Sequence, residues 1–299
     1  MDRLVVYLNG VRGLSVVDAL IDAGNCIVLT VVPANGGNEV AERCRQHGLE
    51  VLSAADINAQ EIIASIRGRE PRLGIIAGYS QIFRAPLIDL PELGTINLHA
   101  GRLPQYRGGS PLNWQILNGE TEAGISVIRV DSSIDGGPIL AERRLTIGPD
   151  DDIAILHDRA NEVFPVMVCD VVAGLDRGRA PAQAQDEAKA VYWHQRNEED
   201  GWIDWQTMDA VEIHNLVRAI TRPYPGAFTY RGVRRIRIWR TRLPQRIIRG
   251  VPGRVCYIEK VGPYLMCRDR AILLEDYTIE GENKSRLHTG ERLSREGFA

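Results

Sequence analysis

The chain has 299 residues and a formal net charge of −3 at pH 7, with 44% hydrophobic and 25% charged residues. This composition is that of an ordinary globular protein long enough for two domains, and it excludes a strong basic field that would attract nucleic acid or a membrane surface. The five cysteines are dispersed without a Cys-x-x-Cys pair, so we expect reduced thiols in a cytoplasmic protein and no metal site. No apolar run is long enough for a signal peptide or a membrane span, and we expect no membrane partner.

The first part of the chain alternates short apolar runs with segments whose apolar residues recur at helical spacing. The apolar runs predict buried strands at 4–8, 26–32, near Val51 and at 73–77, and the periodic segments predict helices at 16–24, 39–47 and 57–66. This β-α-β alternation predicts an α/β fold with a Rossmann-like, doubly wound parallel sheet. Gly10-Val-Arg-Gly13 lacks the Gly-x-Gly-x-x-Gly spacing and no Walker loop is present, so nothing indicates NAD or ATP binding.

An amide and an imidazole follow each other at the end of the next predicted strand, Thr95 to Leu98. Strand alternation directs Asn97 and His99 to the same side, at the carboxyl end of a strand, where open α/β sheets bind ligands. Asn97 can donate from its NH₂ group, and a histidine can act as acid or base near neutral pH. The alternative is that these polar residues end the strand only because the chain reaches solvent.

The rest of the chain changes character after residue 180. Before it, the pattern predicts a helix at 112–117, strands at 123–130 and 139–147 around a turn at 131–137, and a helix from 150–152 to about Leu175. The alanine-rich stretch 180–190 predicts a linker, an amphipathic helix is predicted at 208–220, and five short strands follow at 227–230, 234–239, 253–259, 264–268 and 272–279. We expect a catalytic domain at 1–180, a connecting segment at 181–206 and a C-terminal domain at 207–299, built as a small OB-like β-barrel.

The predicted barrel carries nine arginines from Arg231 to Arg254. One interpretation is contact with phosphate or nucleic acid. The other is a solvated strand face, because alternation in Arg235-Ile-Arg-Ile-Trp-Arg240 brings the arginines to one side. We favour the solvated face, since the chain as a whole is acidic.

Several spaced motifs resemble a single family. They are Asn97-x-His99, Leu103-Pro104, Tyr106-Arg-Gly108, Pro111, Asp135-Gly-Gly, Asp204-Trp205 and Arg222-Pro-Tyr-Pro-Gly-Ala-Phe228. Over nearly the whole chain they resemble the 10-formyltetrahydrofolate-dependent formyltransferase family, which implies a Rossmann-like N-terminal domain and an OB-like C-terminal domain. The resemblance implies a catalytic triad of Asn97, His99 and Asp135. Asn97 would donate to an oxyanion, His99 would carry the proton and Asp135 would orient the imidazole.

The resemblance also implies binding residues. The formyl donor would be 10-formyltetrahydrofolate, held largely through backbone groups around Tyr79, Gln81, Ile82, Phe83, Asp131, Ser132 and Ile134. We expect the acceptor to contact Arg102, Tyr106, Arg107 and Trp114. The family usually carries Ser-Leu-Leu-Pro where this chain has Gly101-Arg102-Leu103-Pro104, so a hydroxyl is lost and a cation is added beside the site.

Three functions are compatible with the resemblance. The main interpretation is an N-formyltransferase acting on a nucleotide-linked amino sugar, as in lipopolysaccharide O-antigen biosynthesis. It rests on the short segment Pro33–Leu49, which has no Lys or Arg before Arg43, and on the phrases at 111–120 and 199–205. The alternative is a methionyl-tRNA formyltransferase, and only under it would tRNA be a partner. A non-catalytic folate-binding module is disfavoured by the whole triad. The sequence is compatible with a homodimer but does not give the oligomeric state.

Overall fold

The structure is a computed structural model that describes Met1, residues 3–282 and residues 286–294. The chain forms two compact units. Unit 1 consists of Met1–Pro111, Gly124–Leu145 and Asp158–Trp193, and unit 2 consists of Leu112–Ala123, Thr146–His157 and His194–Ala299. Position 2 of the predicted N-terminal domain and positions 283–285 and 295–299 of the predicted C-terminal domain lie outside the described residues. The predicted domain boundaries stay a prediction.

A seven-stranded sheet, most of whose residues belong to unit 1, has the spatial order β3-β2-β1-β4-β5-β7-β8. Its seven strands are β1 (Leu4–Leu8), β2 (Ile27–Pro33), β3 (Val51–Ala54), β4 (Leu73–Ala77), β5 (Thr95–His99), β7 (Glu122–Arg129) and β8 (Ile139–Thr146). Two short strands, β6 (Arg107–Gly108) and β9 (Tyr192–Trp193), form a separate two-stranded sheet. The first five strands of that order pair in parallel, and β7 runs antiparallel to β5. The predicted Rossmann-like sheet is thereby confirmed.

The helices follow the apolar periodicity of the sequence. They are α1 (Gly10–Asp22), α2 (Asn38–Gln46), α3 (Gln60–Arg67), α4 (Ala85–Ile88), α5 (Pro111–Leu117), α6 (Ile153–Asp176) and α7 (Ala210–Ile220), with 3₁₀ turns at Glu187–Lys189 and Glu199–Gly201. Helix α1 begins where the Asn9 side chain accepts a hydrogen bond from the Gly10 amide, and it buries Val16, Val17 and Leu20. Among the helices of the described residues, none has the length and apolar character that crossing a membrane requires.

The segment after β5 and the predicted connecting segment at 181–206 are more regular than their sequences indicate. Strand β6, from the segment after β5, pairs in parallel with β9, from the connecting segment. The Arg107 amide donates to the Val191 carbonyl at 3.0 Å, and the Gly109 amide donates to the Trp193 carbonyl at 2.9 Å. These bonds use backbone groups, which leave no apolar periodicity in the sequence, so pattern reading missed this two-stranded sheet.

Unit 2 contains a five-stranded antiparallel sheet with the order β10-β11-β14-β13-β12. Its strands are β10 (Ala227–Arg231), β11 (Arg234–Arg242), β12 (Val255–Ile258), β13 (Gly262–Met266) and β14 (Ala271–Ile279). After β14 the chain contacts both edge strands, because Ser294 pairs with Tyr230 and Arg292 pairs with Arg254, which precedes β12. This segment links the two edges, and the five predicted strands therefore form a small barrel.

Candidate active site

Asn97 and His99 lie at the carboxyl end of β5, between β4 and β7. Asn97 is half-buried, and His99 is 5% exposed. The strand alternation predicted for these two residues is present, because both belong to one extended strand. The sheet thus holds an amide and an imidazole at the edge where parallel strands end.

Both ring nitrogens of His99 face oxygen atoms of unit 1. Nδ1 lies 3.5 Å from Oδ2 of Asp135, and Nε2 lies 2.6 Å from the carbonyl oxygen of Tyr106. Only the doubly protonated ring can donate to both oxygens at once, whereas a neutral ring donates to one. The structure therefore brings His99 and Asp135 of the predicted triad together, and it adds the Tyr106 carbonyl as a partner that the sequence did not indicate.

The Asp135 carboxylate is held by the backbone. Its Oδ2 accepts a hydrogen bond from the Gly108 amide at 2.9 Å, and Asp135 itself has a positive φ of 51°. A left-handed conformation is unfavourable for a residue with a side chain, so the surrounding turn must be fixed by other contacts. Gln185 supplies two of them, because its Nε2 donates to the carbonyls of Asp135 and Gly137, at 2.7 Å each.

Gly101 lies against His99. A Cβ atom at this position would be 2.5 Å from Nε2 of His99 and 2.5 Å from the carbonyl oxygen of Tyr106. The Gly101 carbonyl accepts a hydrogen bond from the Ser126 hydroxyl at 3.1 Å, which fixes the loop. The glycine that replaces the usual serine of the family is therefore required by the position of the imidazole in this chain.

The first predicted donor-binding segment follows β4. Tyr79 and Phe83 are buried and pack edge-to-face against Tyr7, while the Gln81 side chain donates to the Ala55 carbonyl and accepts from the Ile57 amide. Burial raises the pKa of the Tyr79 phenol to about 12. Of the four predicted side chains in this segment, only Ile82 is largely exposed, at 76%. A ligand here would meet the Ile82 side chain and the backbone.

The second predicted donor-binding segment is the turn before Asp135. Asp131 accepts a hydrogen bond from the Ser133 amide at 2.8 Å, which is local turn chemistry. Asp131 and Ser132 are exposed, and Ile134 is 56% exposed. Ile82 and Ile134 are thus exposed apolar side chains, and their contact with the formyl donor stays a prediction.

The four predicted acceptor contacts have different surroundings. The Arg102 guanidinium lies 5.6 Å from the ring centroid of Tyr106, and Tyr106 is 4% exposed and stacks on Trp193. Trp114 belongs to unit 2, where its indole N–H donates to the His194 carbonyl at 3.0 Å. Contacts of Arg102 and Trp114 with an acceptor stay predictions, and burial leaves little of the Tyr106 ring for such a contact.

Arg107 is 1% exposed, and its guanidinium donates hydrogen bonds to partners within unit 1. It donates to Gln185, to both carboxylate oxygens of Glu187 and to the Tyr192 hydroxyl. The hydrogen bonds that Arg107 donates to Glu187, and then to Tyr192, raise the pKa of Arg107, so the group is permanently charged. This position argues against the expected contact between Arg107 and the acceptor, because no donor faces outward.

Gln185 is the residue of this site that the sequence analysis missed. It lies in the alanine-rich stretch that predicts a linker, and nothing in that composition distinguishes it from Gln183. The resemblance to the family also did not assign it. Among the described residues, no group of three or more His, Cys, Asp or Glu side chains could hold a metal ion.

Comparison with known proteins shows the family of this chain. The family model described as "Formyl transferase" matches residues 16–187, and the model described as "Formyl transferase, C-terminal domain" matches residues 196–290. The chain belongs to the formyl transferase family. It is thus a transferase whose formyl donor is 10-formyltetrahydrofolate, as predicted.

Curated relatives and some of the solved structures resemble this formyltransferase along most of their length. "Methionyl-tRNA formyltransferase" of Geotalea uraniireducens (strain Rf4) is 33% identical over 284 residues, covering 92% of this chain and 89% of the relative. The structure of methionyl-tRNA formyltransferase from Clostridium thermocellum has a TM-score of 0.60 at 21% identity, covering 82% of this chain and 94% of that one. That of WlaRD, a sugar 3N-formyl transferase solved in the presence of dTDP and 5-N-formyl-THF, has a TM-score of 0.66 at 16% identity, covering 95% and 99%.

The predicted amino-sugar acceptor of this formyltransferase is wrong. Further curated relatives at 30% to 35% identity carry the name methionyl-tRNA formyltransferase, whereas the likeness to the sugar enzyme is at an identity that shows the fold alone. The prediction gave most weight to the short segment Pro33–Leu49, which folds into α2 with Val40, Ala41 and Cys44 buried. The length of one surface connection does not specify an acceptor, so the nucleotide-linked amino sugar is withdrawn as a partner.

Proposed function

We propose that this formyltransferase moves the formyl group of 10-formyltetrahydrofolate to the α-amine of methionyl-tRNA. The observation that carries the proposal is that relatives named methionyl-tRNA formyltransferase match this chain through both domains. The chain covers 89% to 95% of the length of two such proteins at 30% to 33% identity. A match that includes the C-terminal barrel is relevant, because a tRNA acceptor is large and a second domain can contribute to its binding. The net acidity of the chain does not oppose this, since phosphate contacts depend on local groups.

The proposed chemistry is acyl transfer with the acceptor amine as the nucleophile, so the protein supplies no nucleophile of its own. The neutral amine attacks the formyl carbon, a tetrahedral oxyanion forms, and the N10 atom of the folate leaves with a proton. We assign Asn97 as a hydrogen-bond donor to the oxyanion and His99 as the group that transfers the proton. The carboxylate of Asp135, 3.5 Å from Nδ1, supports its assignment as the group that orients the imidazolium.

The Tyr106 carbonyl belongs in this proposal as a partner of the resting enzyme. It occupies Nε2 of His99 at 2.6 Å, so this nitrogen reaches the reacting atoms only after it leaves that carbonyl. The other ring nitrogen, Nδ1, lies 3.5 Å from the Asp135 carboxylate, and this contact keeps the ring oriented. We also keep the assignment of Ile82, Ile134 and the backbone near them as the surface that covers the pterin, supported by the exposure of both isoleucines.

A direct assay tests the acceptor. The purified chain is incubated with 10-formyltetrahydrofolate and methionyl-tRNA, and formylmethionyl-tRNA and released tetrahydrofolate are measured together. Uncharged tRNA and N-acetylmethionyl-tRNA, which has no free amine, serve as controls and should yield no product. The proposal fails if the wild-type chain leaves methionyl-tRNA unmodified while it formylates another amine, such as that of a nucleotide-linked sugar, at the same donor concentration.

A further inference from the structure

The carboxamide of Gln185 is bonded on both sides. Its Nε2 donates to the carbonyls of Asp135 and Gly137, at 2.7 Å each, and its Oε1 accepts from Nε and Nη2 of Arg107, at 3.1 and 3.0 Å. A guanidinium can only donate, so Arg107 fixes which end of the amide is the oxygen. The NH₂ group is thereby directed at the two carbonyls of the Asp135-Gly-Gly turn.

Arg107, which holds the Gln185 carboxamide, is itself fixed by further contacts. Its guanidinium contacts Glu187 and the Tyr192 hydroxyl, and its backbone belongs to β6, which pairs with β9. The segment that carries Gln185 is therefore tied to β6 by side-chain contacts at 187 and by backbone pairing at 192. Each of these residues belongs to unit 1.

We infer that Gln185 is a positioning residue that acts through Asp135, an inference that rests on the proposed function. Asp135 has a φ of 51°, and its Oδ2 must meet both the Gly108 amide and His99. The two hydrogen bonds from Gln185 hold the carbonyls on either side of Gly136, so they fix the turn from which the carboxylate projects. Loss of these bonds lets the turn relax and moves the carboxylate away from the imidazole.

Two substitutions separate this role from simple packing. Gln185→Glu keeps an acceptor for Arg107 but turns an oxygen toward two carbonyls, so the anchor stays and the turn is repelled. Gln185→Met removes both interactions at similar length. The matched control is Gln183→Met, two residues away, whose side chain is exposed. We expect kcat of either Gln185 variant to fall about 10- to 100-fold with KM for the donor changed by less than about threefold, while the control keeps its kcat.

A double-mutant cycle with Asp135→Asn identifies the route of the effect. If Gln185 acts through the Asp135 carboxylate, Gln185→Glu should cost less than about threefold in kcat when Asp135 is already Asn. Fully additive losses in the cycle, or wild-type kcat in a folded Gln185→Glu variant, overturn the inference. Circular dichroism and the thermal midpoint establish that the compared variants are folded.

Failure of the proposed function has a different signature. If the wild-type chain does not formylate methionyl-tRNA, the acceptor assignment fails while the positioning role is read from crystal structures of Gln185→Glu and Gln183→Met. We expect the separation of His99 Nδ1 and Asp135 Oδ2 to exceed 4 Å in the first variant and to stay near the 3.5 Å of the present structure in the second. An unchanged Asp135 turn in Gln185→Glu overturns the positioning role whatever the acceptor is.

Discussion

Arg107 in unit 1 and the arginines of β11 in unit 2 have the same side chain in opposite settings. Arg107 is 1% exposed and donates to Gln185, Glu187 and Tyr192. On β11, Arg235 and Arg237 share Glu198, with N–O distances of 2.6 and 2.5 Å, and lie beside solvent. The buried group fixes the geometry of its neighbours, whereas the half-buried Arg235 and Arg237 have their charge partly offset by the exposed carboxylate of Glu198.

This difference shows that the number of arginines in a segment does not give the net charge of the surface they form. The carboxylates around β11 offset much of the local charge that its arginine-rich sequence indicates, since Arg231 and Arg234 contact Glu282 and Arg240 and Arg242 contact Glu275. Exposed pairs of this kind contribute about 0–1 kcal/mol each, because water screens them. A buried, fully bonded arginine near the Asp135 turn has a larger effect on geometry than on net charge.

The largest effect is expected at the site that the buried network supports. Asn97→Ala and His99→Ala should each lower kcat about 100- to 1000-fold, because each removes a group assigned to the oxyanion or to the proton. Initial rates at saturating donor and methionyl-tRNA test this, and His99→Asn provides a second variant that keeps a polar side chain at a buried position. Near wild-type rates in a folded variant of either residue would remove it from the catalytic assignment.

Sequence alone predicted the elements that repeat an apolar pattern. The placement of Asn97 and His99 on one side of the sheet followed from alternation in β5, and the five barrel strands followed from short apolar runs between turns. The catalytic assignment of Asn97, His99 and Asp135 came from the family resemblance. Gln185 was missed because its role depends on backbone carbonyls distant in sequence. Arg107 was assigned to the acceptor because its burial could not be foreseen: the residues that cover it lie at 185–193, a segment whose composition is that of a linker.

A smaller loss is expected when the histidine is displaced rather than removed. In Gly101→Ala the new Cβ would lie 2.5 Å from His99 Nε2 and from the Tyr106 carbonyl, so the ring or the loop must move. A displacement of about 1 Å can cost on the order of 100-fold in rate, and we expect kcat to fall about 10- to 100-fold. Gly68→Ala is the control, because a Cβ there would meet its nearest atom at 3.6 Å. Equal kcat values in the two variants would contradict the assigned role of Gly101.

Removing the buried Arg107 should lower the free energy of unfolding more than removing Arg237 on β11. Arg107→Met leaves the Gln185 oxygen without its donor in a partly buried place, and we expect the free energy of unfolding to fall by about 1–3 kcal/mol. Arg237→Met removes a pair with the exposed carboxylate of Glu198, which Arg235 still contacts, and should cost about 0–1 kcal/mol. Urea denaturation of both variants measures the two shifts. Adding 0.5 M NaCl should reduce the difference in free energy of unfolding between wild type and Arg237→Met, but not that between wild type and Arg107→Met. Equal shifts for the two variants would contradict the comparison.

The smallest effect concerns tRNA affinity, and it tests which arginines are available to phosphate. Arg246 and Arg249 are exposed, and among the residues that the structure describes neither side chain has an ion pair or a hydrogen bond, unlike Arg235 and Arg237. A phosphate contact contributes about 0.7–0.9 to the slope of log Kobs against log[salt], so replacing both Arg246 and Arg249 with Ser should reduce the slope by about one to two. The paired substitution of Arg235 and Arg237 with Ser should reduce it by less than about one, because a phosphate must first displace the carboxylate of Glu198. Binding of methionyl-tRNA is measured from 50 to 300 mM NaCl for both variants and the wild type. A larger slope change in the Arg235/Arg237 variant would show that the carboxylate yields to RNA, and the β11 face would then be a phosphate-binding surface rather than a neutralised one.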